Sequence, residues 1–588
     1  MLWERIRDPK YRTDTGEQTQ EEESVTDGVK GLLERVRRPN PILSHRVEYA
    51  LALLFSLSSV LGIFLDRGIS LAGMNAWQAL LWLGGSLALT EGVRRFERLL
   101  CGVLSRWAGR EAEWEGPSGN SRPEQRKRFL REKPLLCFLF CLAVILFCWL
   151  PVWLAYFPGL WNYDPWQANQ VITGEYSKHH PLLHTLLLGN CYRFALERGN
   201  ADLAPMLYTA LQGGFCAAVY ALSCTMIRRK TRSTVFFVLS LLFFALFPVH
   251  PILAMSTTKD TLFSAMILLA GLLFLFMEGA DRIRKRWLAA AEVAVLALIA
   301  LFRNNGKYCL ALLIVLCLFR LKKKQWRGML AILMAGTALG FGADWALGKA
   351  LKTSPAEMAE MCSVPSQMMG RVKQEIPELD EETTAFLNEF YSLGEMEYNP
   401  YLADGTKWCL RLESRADLVE YGKGSVRLFL KYPLIGIDSL LYTTEGLWNL
   451  WDVSHSRIYG VGHGMGYLTT DIQSWFQIEE DSRIPGLKAL YEKLLSDNEY
   501  QKIPVLRLLF APALYAGLLL LALCVMRRDR KQVWIVIPLF LLFLVFTIVA
   551  GPGILPRYVY PLMTCAPLLI WMLIKSAAVS ESGTDDLA

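Results

Sequence analysis

The chain has 588 residues, of which 53% are hydrophobic and 20% are charged. Soluble domains carry roughly 25% charged and 45–50% apolar residues, so this composition excludes a disordered chain, a collagen-like fibre and a small disulfide scaffold. The formal net charge is +7, and the placement of the basic residues along the chain is more informative than their number.

The apolar residues are gathered in blocks of about 20, the length at which an α-helix crosses a bilayer core of roughly 30 Å. We therefore predict an all-α polytopic membrane protein with about 12 transmembrane helices. The predicted spans are 48–66, 72–92, 134–157, 203–227, 234–250, 260–277, 288–302, 308–320, 329–347, 504–526, 533–550 and 558–575.

Successive loops between these spans alternate between many and few basic residues. Four loops, each with a cluster of Lys and Arg, hold 17 basic residues, whereas the four short loops that alternate with them hold 5. Cytoplasmic loops are rich in Lys and Arg. The pattern predicts that both termini are cytoplasmic and that residues 158–202 and 348–503 are extracytoplasmic, in a multi-pass protein of the cell membrane.

This orientation predicts a domain organisation around a transmembrane core at 134–350, whose outer loop is 158–202. The extracytoplasmic domain, 351–503, is mostly α and lies between spans 9 and 10. Its stretch 426–451 is predicted to be an interfacial helix with Trp448 and Trp451 at headgroup depth. The other predicted parts are a cytoplasmic N-terminal segment (1–47), an accessory transmembrane hairpin (48–92), a basic cytoplasmic segment (93–133), C-terminal transmembrane helices (504–575) and a cytoplasmic tail (576–588). The polar start of the chain gives no sign of a cleavable signal.

Most of the 13 cysteines lie in the predicted spans, where thiols act as small packing residues. Cys362 and Cys409 share the outer domain, and the sequence leaves open whether they form a disulfide.

The first long outer loop contains the most unusual polar residues. Asp164 follows a predicted span by a few residues, among several aromatic side chains, and Gln167 and Gln170 follow it at helical spacing. A carboxylate at this position can reach the headgroup of a lipid whose tail stays in the bilayer. The alternative is structural, because Asp followed by Pro165 is also a common helix start.

Two histidines later in the same loop are open to more than one interpretation. His180 and His184 are four residues apart, a spacing that metal ligands often have, but the HExxH pattern is absent and a proline follows His180. Substrate contact and packing with a hydrogen bond are the other interpretations. We expect no cofactor and no metal, although a divalent metal is not excluded.

The short outer loops carry cations that run against the positive-inside bias. Lys259 and Asp260 begin one span, Arg303 precedes Asn304 and Asn305 between two spans, and Arg557 and Tyr558 begin the last one. A structural reason is available, since a lysine can snorkel and an aspartate suits a helix N-terminus. The functional reason is that three cations at one depth of the membrane suit a bound lipid phosphate.

These motifs, taken in order, resemble the C-type (GT-C) integral-membrane glycosyltransferases, which include the protein O-mannosyltransferases and the transferases that move aminoarabinose onto lipid A. A bacterial family of uncharacterised multi-spanning proteins placed in that superfamily is more similar still. The motifs that carry the resemblance, spread over roughly 134–575, are Pro158-Gly159, Asp164, Gln167, His180-Pro181, Lys259-Asp260, Arg303-Asn304-Asn305-Gly306 and Arg557-Tyr558.

The resemblance implies a GT-C-like core and a polyprenyl-phosphate sugar as the donor, with a cell-envelope glycan, lipid or protein as the acceptor. By the same resemblance Asp164 is the general base, and the donor phosphate is bound by Arg557, Tyr558, Arg303 and Lys259. The residues assigned to the sugar or acceptor are Gln167, Gln170, His180, His184, Asp260, Asn304, Asn305 and His463, the last within a glycine-rich run. One departure is that Pro165 follows Asp164, where many protein mannosyltransferases have an acidic pair.

Two other functions stay open at this point. One is a transporter or flippase, which would place charged or broken-helix sites near the bilayer midplane. The other is a lipid-linked polysaccharide ligase or polymerase. The partners expected in every case include the lipid bilayer and exclude nucleic acid, because topology explains the basic clusters.

Overall fold

The computed structural model describes residues 43–112, 132–161, 166–231, 233–278, 280–322, 324–451, 476–479, 481–526 and 533–582. Over these residues the chain forms α-helices, short 3-10 turns and isolated β-bridges, and no strand. The helices of the first half are α1 (His45–Leu65), α2 (Ala76–Ala112), α3 (Pro134–Ala155), α4 (Gln167–Thr173), α5 (Leu182–Glu197), α6 (Leu203–Lys230), α7 (Thr234–Leu246), α8 (Val249–Ala254), α9 (Lys259–Met277), α10 (Arg282–Phe302) and α11 (Asn304–Leu318). Those of the second half are α12 (Lys324–Ala350), α13 (Ser363–Glu375), α14 (Glu381–Phe390), α15 (Asp404–Lys407), α16 (Arg415–Lys431), α17 (Pro433–Thr444), α18 (Pro485–Leu495), α19 (Pro504–Phe510), α20 (Pro512–Met526), α21 (Val536–Val549) and α22 (Pro556–Ser582).

Six of these helices are long and apolar enough to cross a membrane: α1, α3, α6, α9, α12 and α22. The pair α19 and α20 adds a seventh if it is one span, although its two parts are bent by 65°. The prediction of an all-α, multi-pass membrane protein is therefore confirmed.

The structure does not support the predicted count of about 12 spans. The apolar helices α7, α11 and α21 have 13, 15 and 14 residues. At roughly 1.5 Å per residue these lengths fall short of a hydrocarbon core of roughly 30 Å. Helix α10 has 21 residues, but Lys285, Arg286 and Glu292 occur in every stretch of it long enough to span. By length and composition, the structure therefore supports six or seven of the 12 predicted spans.

Helices α9 and α22 form the centre of the bundle. Of their most apolar stretches, 83% and 89% of the residues are buried, compared with 22% for α12 and 28% for α3. The outer helices therefore present most of their apolar side chains away from the protein, as expected for helices that contact lipid.

Helix α12 packs closely on α10 through small residues. A Cβ atom at Gly336 would lie 2.6 Å from Cβ of Leu296, and one at Gly340 would lie 2.7 Å from Cβ of Ala300. Glycines four residues apart allow two membrane helices to approach closely. This contact fixes α10 against α12 and so fixes the position of Arg303 at the end of α10.

The segment between α12 and α18 contains a small helical domain with its own core. Tyr391 and Tyr421 share a hydrogen bond of 2.6 Å between their hydroxyls beside Ser366. Burial raises the pKa of Tyr421 to about 12. Cys362 and Cys409 are not joined by a disulfide, which answers the question that the sequence left open.

Two predicted boundaries change. The predicted interfacial helix 426–451 consists of the end of α16, all of α17 and a 3-10 turn, because Pro433 starts a new helix. Helix α2 continues to Ala112, so the first part of the segment predicted as a separate cytoplasmic region, 93–133, belongs to the same helix as the end of the hairpin.

The loops predicted to be extracytoplasmic contact one another at one end of the bundle. The backbone N–H of Lys178 donates to the carbonyl of Ser354 at 3.0 Å, and that of Ala403 donates to the carbonyl of Pro552 at 2.7 Å. The carboxylate of Asp202 accepts from the N–H of Glu479 at 2.8 Å. Segments far apart in the sequence therefore meet at the same end of the bundle.

Candidate functional site

Asp260 lies at the start of α9, one of the two helices at the centre of the bundle. Its side chain is 1% exposed. Thr258 caps the helix, since its hydroxyl accepts from the N–H of Asp260 and donates to Oδ2 of the same residue at 3.1 Å. A carboxylate in the first turn of a helix is stabilised by the helix dipole.

Two arginines from distant parts of the sequence approach this carboxylate. Nη1 of Arg303 forms an ion pair with Oδ1 of Asp260, and Nε of Arg557 lies 3.8 Å from Oδ2. The two guanidinium groups lie 4.7 and 5.0 Å from the ring centre of Tyr558. The four side chains therefore form one cluster, which we call the arginine cluster: Asp260, Arg303, Arg557 and Tyr558.

The position of Arg303 follows from the close junction of α10 and α11. Arg303 is extended between the two helices, and a Cβ atom at Gly306 would lie 2.5 Å from the carbonyl oxygen of Ile299. Only glycine allows α11 to turn so closely against α10. This turn directs the guanidinium of Arg303 toward α9.

Lys259 and His180 adjoin the arginine cluster. Nζ of Lys259 lies 3.2 Å from Nδ1 of His180, which the first outer loop supplies. Lys259 directly precedes Asp260 in the sequence, and counted with Arg303 and Arg557 it gives this end of α9 a formal charge of +2. The excess positive charge suits an anion.

Gln167 and His184 belong to a buried polar network instead of facing the bundle surface. Nε2 of His184 lies 2.7 Å from the hydroxyl of Tyr208, and its Nδ1 lies 3.4 Å from Oε1 of Gln167. Tyr208 also donates to the carbonyl of Thr258, at 3.4 Å. The network thus joins α4, α5 and α6 to the residue that caps α9. Nε2 of Gln167 is buried and has no hydrogen-bond partner among the described residues.

Gln212 completes this network, and the sequence analysis did not select it. Its Nε2 donates to three carbonyl oxygens, of Leu253, Ala254 and Ser256, at 2.7–3.1 Å. Its Oε1 accepts from Tyr208 at 3.0 Å. A glutamine four residues after a tyrosine within an apolar helix was the available signal, because intramembrane polar residues usually have partners.

The remaining predicted residues that the structure describes are each held by a neighbour. Oε1 of Gln170 accepts from the N–H of Ser177 at 3.1 Å. Oδ1 of Asn304 accepts from Lys307 at 3.2 Å, and Nδ2 of Asn305 donates to the hydroxyl of Thr547 at 3.0 Å. Their roles in sugar or acceptor binding stay predictions.

Asp164 and His463 lie outside the described residues. The chain just before Asp164 is nevertheless located. The N–H of Leu160 donates to the carbonyl of Met255 at 2.8 Å, and its carbonyl accepts from Thr257 at 3.0 Å. Leu160 therefore pairs with the segment that leads into Lys259.

Over the described residues, no group of three or more His, Cys, Asp or Glu side chains could hold a metal ion. His180 contacts Lys259, and both ring nitrogens of His184 have hydrogen-bond partners within the protein. The described residues of the arginine cluster and its neighbours can bind an anion, orient it through two guanidinium groups and an ammonium group, and exclude water through burial.

The chain belongs to a family of unknown function, DUF6020, whose model matches residues 172–585. No curated protein and no solved structure matches the chain. The matched region includes the arginine cluster, Lys259 and His180, whereas Asp164 and the hairpin α1–α2 precede it. The predicted similarity to a multi-spanning family of unknown function is confirmed, and the similarity to GT-C enzymes stays a prediction.

Proposed function

We propose that this member of the family is an integral-membrane glycosyltransferase. It moves a sugar from a polyprenyl-phosphate donor to a cell-envelope acceptor on the extracytoplasmic side of the membrane. The observation that carries the proposal is the convergence of Arg303 and Arg557 on one buried carboxylate, Asp260, at one end of the bundle, with Lys259 as the preceding residue of the chain. Buried cations of this kind suit a phosphate that gains negative charge as the bond to the sugar breaks.

In this proposal the acceptor hydroxyl attacks the anomeric carbon and loses its proton to Asp164. The bond between the anomeric carbon and the phosphate oxygen breaks with inversion, and polyprenyl phosphate leaves with the electron pair. Arg303 and Arg557 offer planar donors that match two phosphate oxygens, and Lys259 offers a point charge. His180 beside Lys259 is suitably placed to orient the sugar.

Asp260 has a different role from the sugar contact that the resemblance implied. Its side chain is 1% exposed and faces both arginines. We assign it the task of holding the two guanidinium groups in position before the donor binds, because preorganised donors are the ones that stabilise a developing charge. Asp260 is thus a positioning residue.

Asp164→Asn tests the general base. The substitution keeps the size and hydrogen-bonding reach of the side chain but cannot accept a proton, so turnover should fall by roughly 10²–10⁴-fold. The assay is transfer of labelled sugar from polyprenyl phosphate in proteoliposomes. The matched control is Glu175→Gln, an exposed carboxylate of the same loop, which should retain turnover. Normal turnover in Asp164→Asn would remove Asp164 as the base.

Arg557→Ala tests the phosphate site separately. Phosphate is present in both the ground state and the transition state, so this variant should lose donor binding as well as turnover. Binding is measured as the thermal stabilisation that polyprenyl phosphate produces in detergent. Arg483→Ala is the control, because Arg483 is paired with Asp481 at 2.8 Å and is 56% exposed. Undiminished stabilisation of Arg557→Ala would exclude the arginine cluster as the phosphate site.

A transporter is the second candidate, and two observations favour it. Glu292, midway along α10, is fully buried, and neither carboxyl oxygen has a hydrogen-bond partner among the described residues. Helices α19 and α20 form a bent pair, and broken helices mark transport sites. Solute uptake that Glu292→Gln abolishes, with no sugar transfer in the parent chain, would favour this function.

A further inference from the structure

Helix α17 has apolar side chains on both of its faces. The face toward the protein includes Ile435 and Tyr442, which are 9% and 5% exposed, together with the buried Asp438. On the other face Leu434, Ile437 and Leu440 are 50%, 39% and 38% exposed. A surface helix normally places polar residues on its outer face, so the outer face of α17 is unusual.

The apolar strip continues onto α16. Val426 and Leu430 are 60% and 73% exposed, and they precede Leu434 at intervals of four residues. We call the strip formed by Val426, Leu430, Leu434, Ile437 and Leu440 the α16–α17 face. Five large apolar side chains exposed within 15 residues differ from the scattered single ones of an ordinary surface and indicate an interaction site.

Helix α14 of the same small domain shows the ordinary pattern. Its buried residues are Thr383, Leu387 and Phe390, and its exposed residues include Glu381 and Asn388. Water is therefore the surrounding medium for α14. The outer face of α17 therefore differs from that of α14 within one domain.

Contacts with the spanning helix α1 fix the depth of α17. Tyr442 packs with Leu61 and Leu65, the last turn of α1. A Cβ atom at Gly62 would lie 2.4 Å from the side chain of Asn449, which follows α17. Since Gly62 lies one turn inside the end of a helix that can cross the membrane, the segment after α17 reaches the depth at which α1 enters the bilayer.

The loop between α1 and α2 holds α17 at this depth. The carboxylate of Asp438 accepts hydrogen bonds from the backbone N–H groups of Leu71 at 2.6 Å and Ala72 at 2.7 Å. Charge-assisted bonds to two adjacent N–H groups are among the stronger ones in proteins. The hairpin is thereby fastened to the small domain, although it lies outside the residues that the family model matches.

We propose that the α16–α17 face is embedded in the leaflet on its own side of the membrane, and that the hairpin α1–α2 holds it there through Asp438. The occupant of the face is membrane lipid, at the boundary between headgroups and acyl chains. This inference rests on the membrane embedding of the chain and is independent of the glycosyltransferase proposal.

Fluorescence quenching tests the position of the face in the full chain, reconstituted in phosphatidylcholine–phosphatidylglycerol vesicles. A bimane label is placed by Ile437→Cys, and by Asn388→Cys as the control on α14, in a chain whose incompletely buried thiols are removed by Cys148→Ser, Cys409→Ser and Cys524→Ser. Lipids with a nitroxide on the acyl chain should quench the label at 437 more strongly than the label at 388. Aqueous iodide should give the opposite order. Strong iodide quenching at 437 would overturn the proposal.

A second copy of the chain is the competing occupant. A label at 437 shielded from both quenchers, together with a disulfide between two Ile437→Cys chains, would assign the face to that copy and overturn the proposal. If membrane lipid covers the face, neither result is expected.

The role of the hairpin is tested by Asp438→Ala, with the exposed Glu420→Ala as the control. The label at 437 should lose quenching by lipid nitroxide and gain quenching by iodide in Asp438→Ala alone. Leu71→Pro provides a second variant, because it removes one N–H donor and leaves Asp438 intact. Unchanged quenching in a folded variant of either kind would remove the hairpin from the proposal.

Discussion

Two buried carboxyl groups of the same helix bundle have opposite surroundings. Asp260, at the start of α9, faces Arg303 and Arg557 and is capped by Thr258. Glu292, in the middle of α10, has no hydrogen-bond partner for either oxygen among the described residues. The comparison shows that this fold supplies counter-ions at the end of the bundle where the loops meet, whereas no described residue pairs with the carboxyl in the middle of α10.

The largest expected effect comes from removing Asp260. Asp260→Ala leaves two mostly buried guanidinium groups without their carboxylate, and removing one partner of a buried ion pair costs about 3–5 kcal/mol. The measurement is the free energy of unfolding in detergent. Asp344→Ala is the control, since Asp344 pairs with Lys307 at 2.8 Å where both side chains are more exposed. Added inorganic phosphate should restore part of the loss in Asp260→Ala, because an anion replaces the carboxylate.

Equal losses in the two variants would mean that Asp260 is an ordinary ion-pair residue. Absence of any phosphate effect would argue against an anion site between the arginines.

The second effect is smaller and has the opposite sign. Glu292→Leu removes a buried carboxyl that lacks hydrogen bonds, and an unsatisfied buried polar group costs roughly 1–3 kcal/mol. The variant should therefore gain stability of that order, measured by the same unfolding assay. Glu278→Leu, at an exposed carboxylate that pairs with Lys575, should not gain. A loss in Glu292→Leu would show that the carboxyl has a stabilising partner.

The smallest effect concerns Asp380, an exposed carboxylate. Because it is not buried, it shows what an ion pair contributes without the cost of burial. The Lys431 ammonium, at 2.5 Å, together with the N–H of Thr383, holds the pKa of Asp380 well below its ordinary value. Because the folded-state pKa is lowered, this stabilisation is present above the unfolded-state pKa of about 4 and is lost as the pH falls through the folded-state pKa.

Asp380→Asn keeps the helix cap but loses the charge. Unfolding measured from neutral pH downward should show a small deficit for the variant at neutral pH, and the deficit should vanish in strong acid. A deficit that is independent of pH would mean that the hydrogen bonds, and not the charge, carry the stabilisation.

The arginine cluster was partly predictable from the sequence, and the reason is electrostatic. Lys259, Arg303 and Arg557 attracted attention because they lie at the end of the spans where the positive-inside bias disfavours cations. The sequence did not indicate that Asp260 joins them as their carboxylate, since either a helix cap or a substrate contact fitted its position. Only the packing of α9, α10 and α22 distinguishes these possibilities.

The fold class was predictable from the sequence, whereas the number of spanning helices was not. Composition and block length indicated a helical membrane protein, but hydropathy alone does not give the length of each helix, and α11 has 15 residues where a span usually needs about 20. The contact of Asp438 with Leu71 joins residues 367 positions apart. A backbone N–H carries no sequence signal, so nothing in the residues themselves indicated that the hairpin is fastened to the small domain.

The arginine cluster also sets an order of events during synthesis. Asp260 and Arg303 are 43 residues apart and can pair once α9 and α10 are in the membrane, whereas Arg557 begins the last helix, 254 residues later. At about 5–20 residues per second, ribosomes need roughly 10–50 s for that interval. The nascent chain therefore has an incomplete anion site, without Arg557, until α22 is inserted. A chain that terminates before α22 never completes the site.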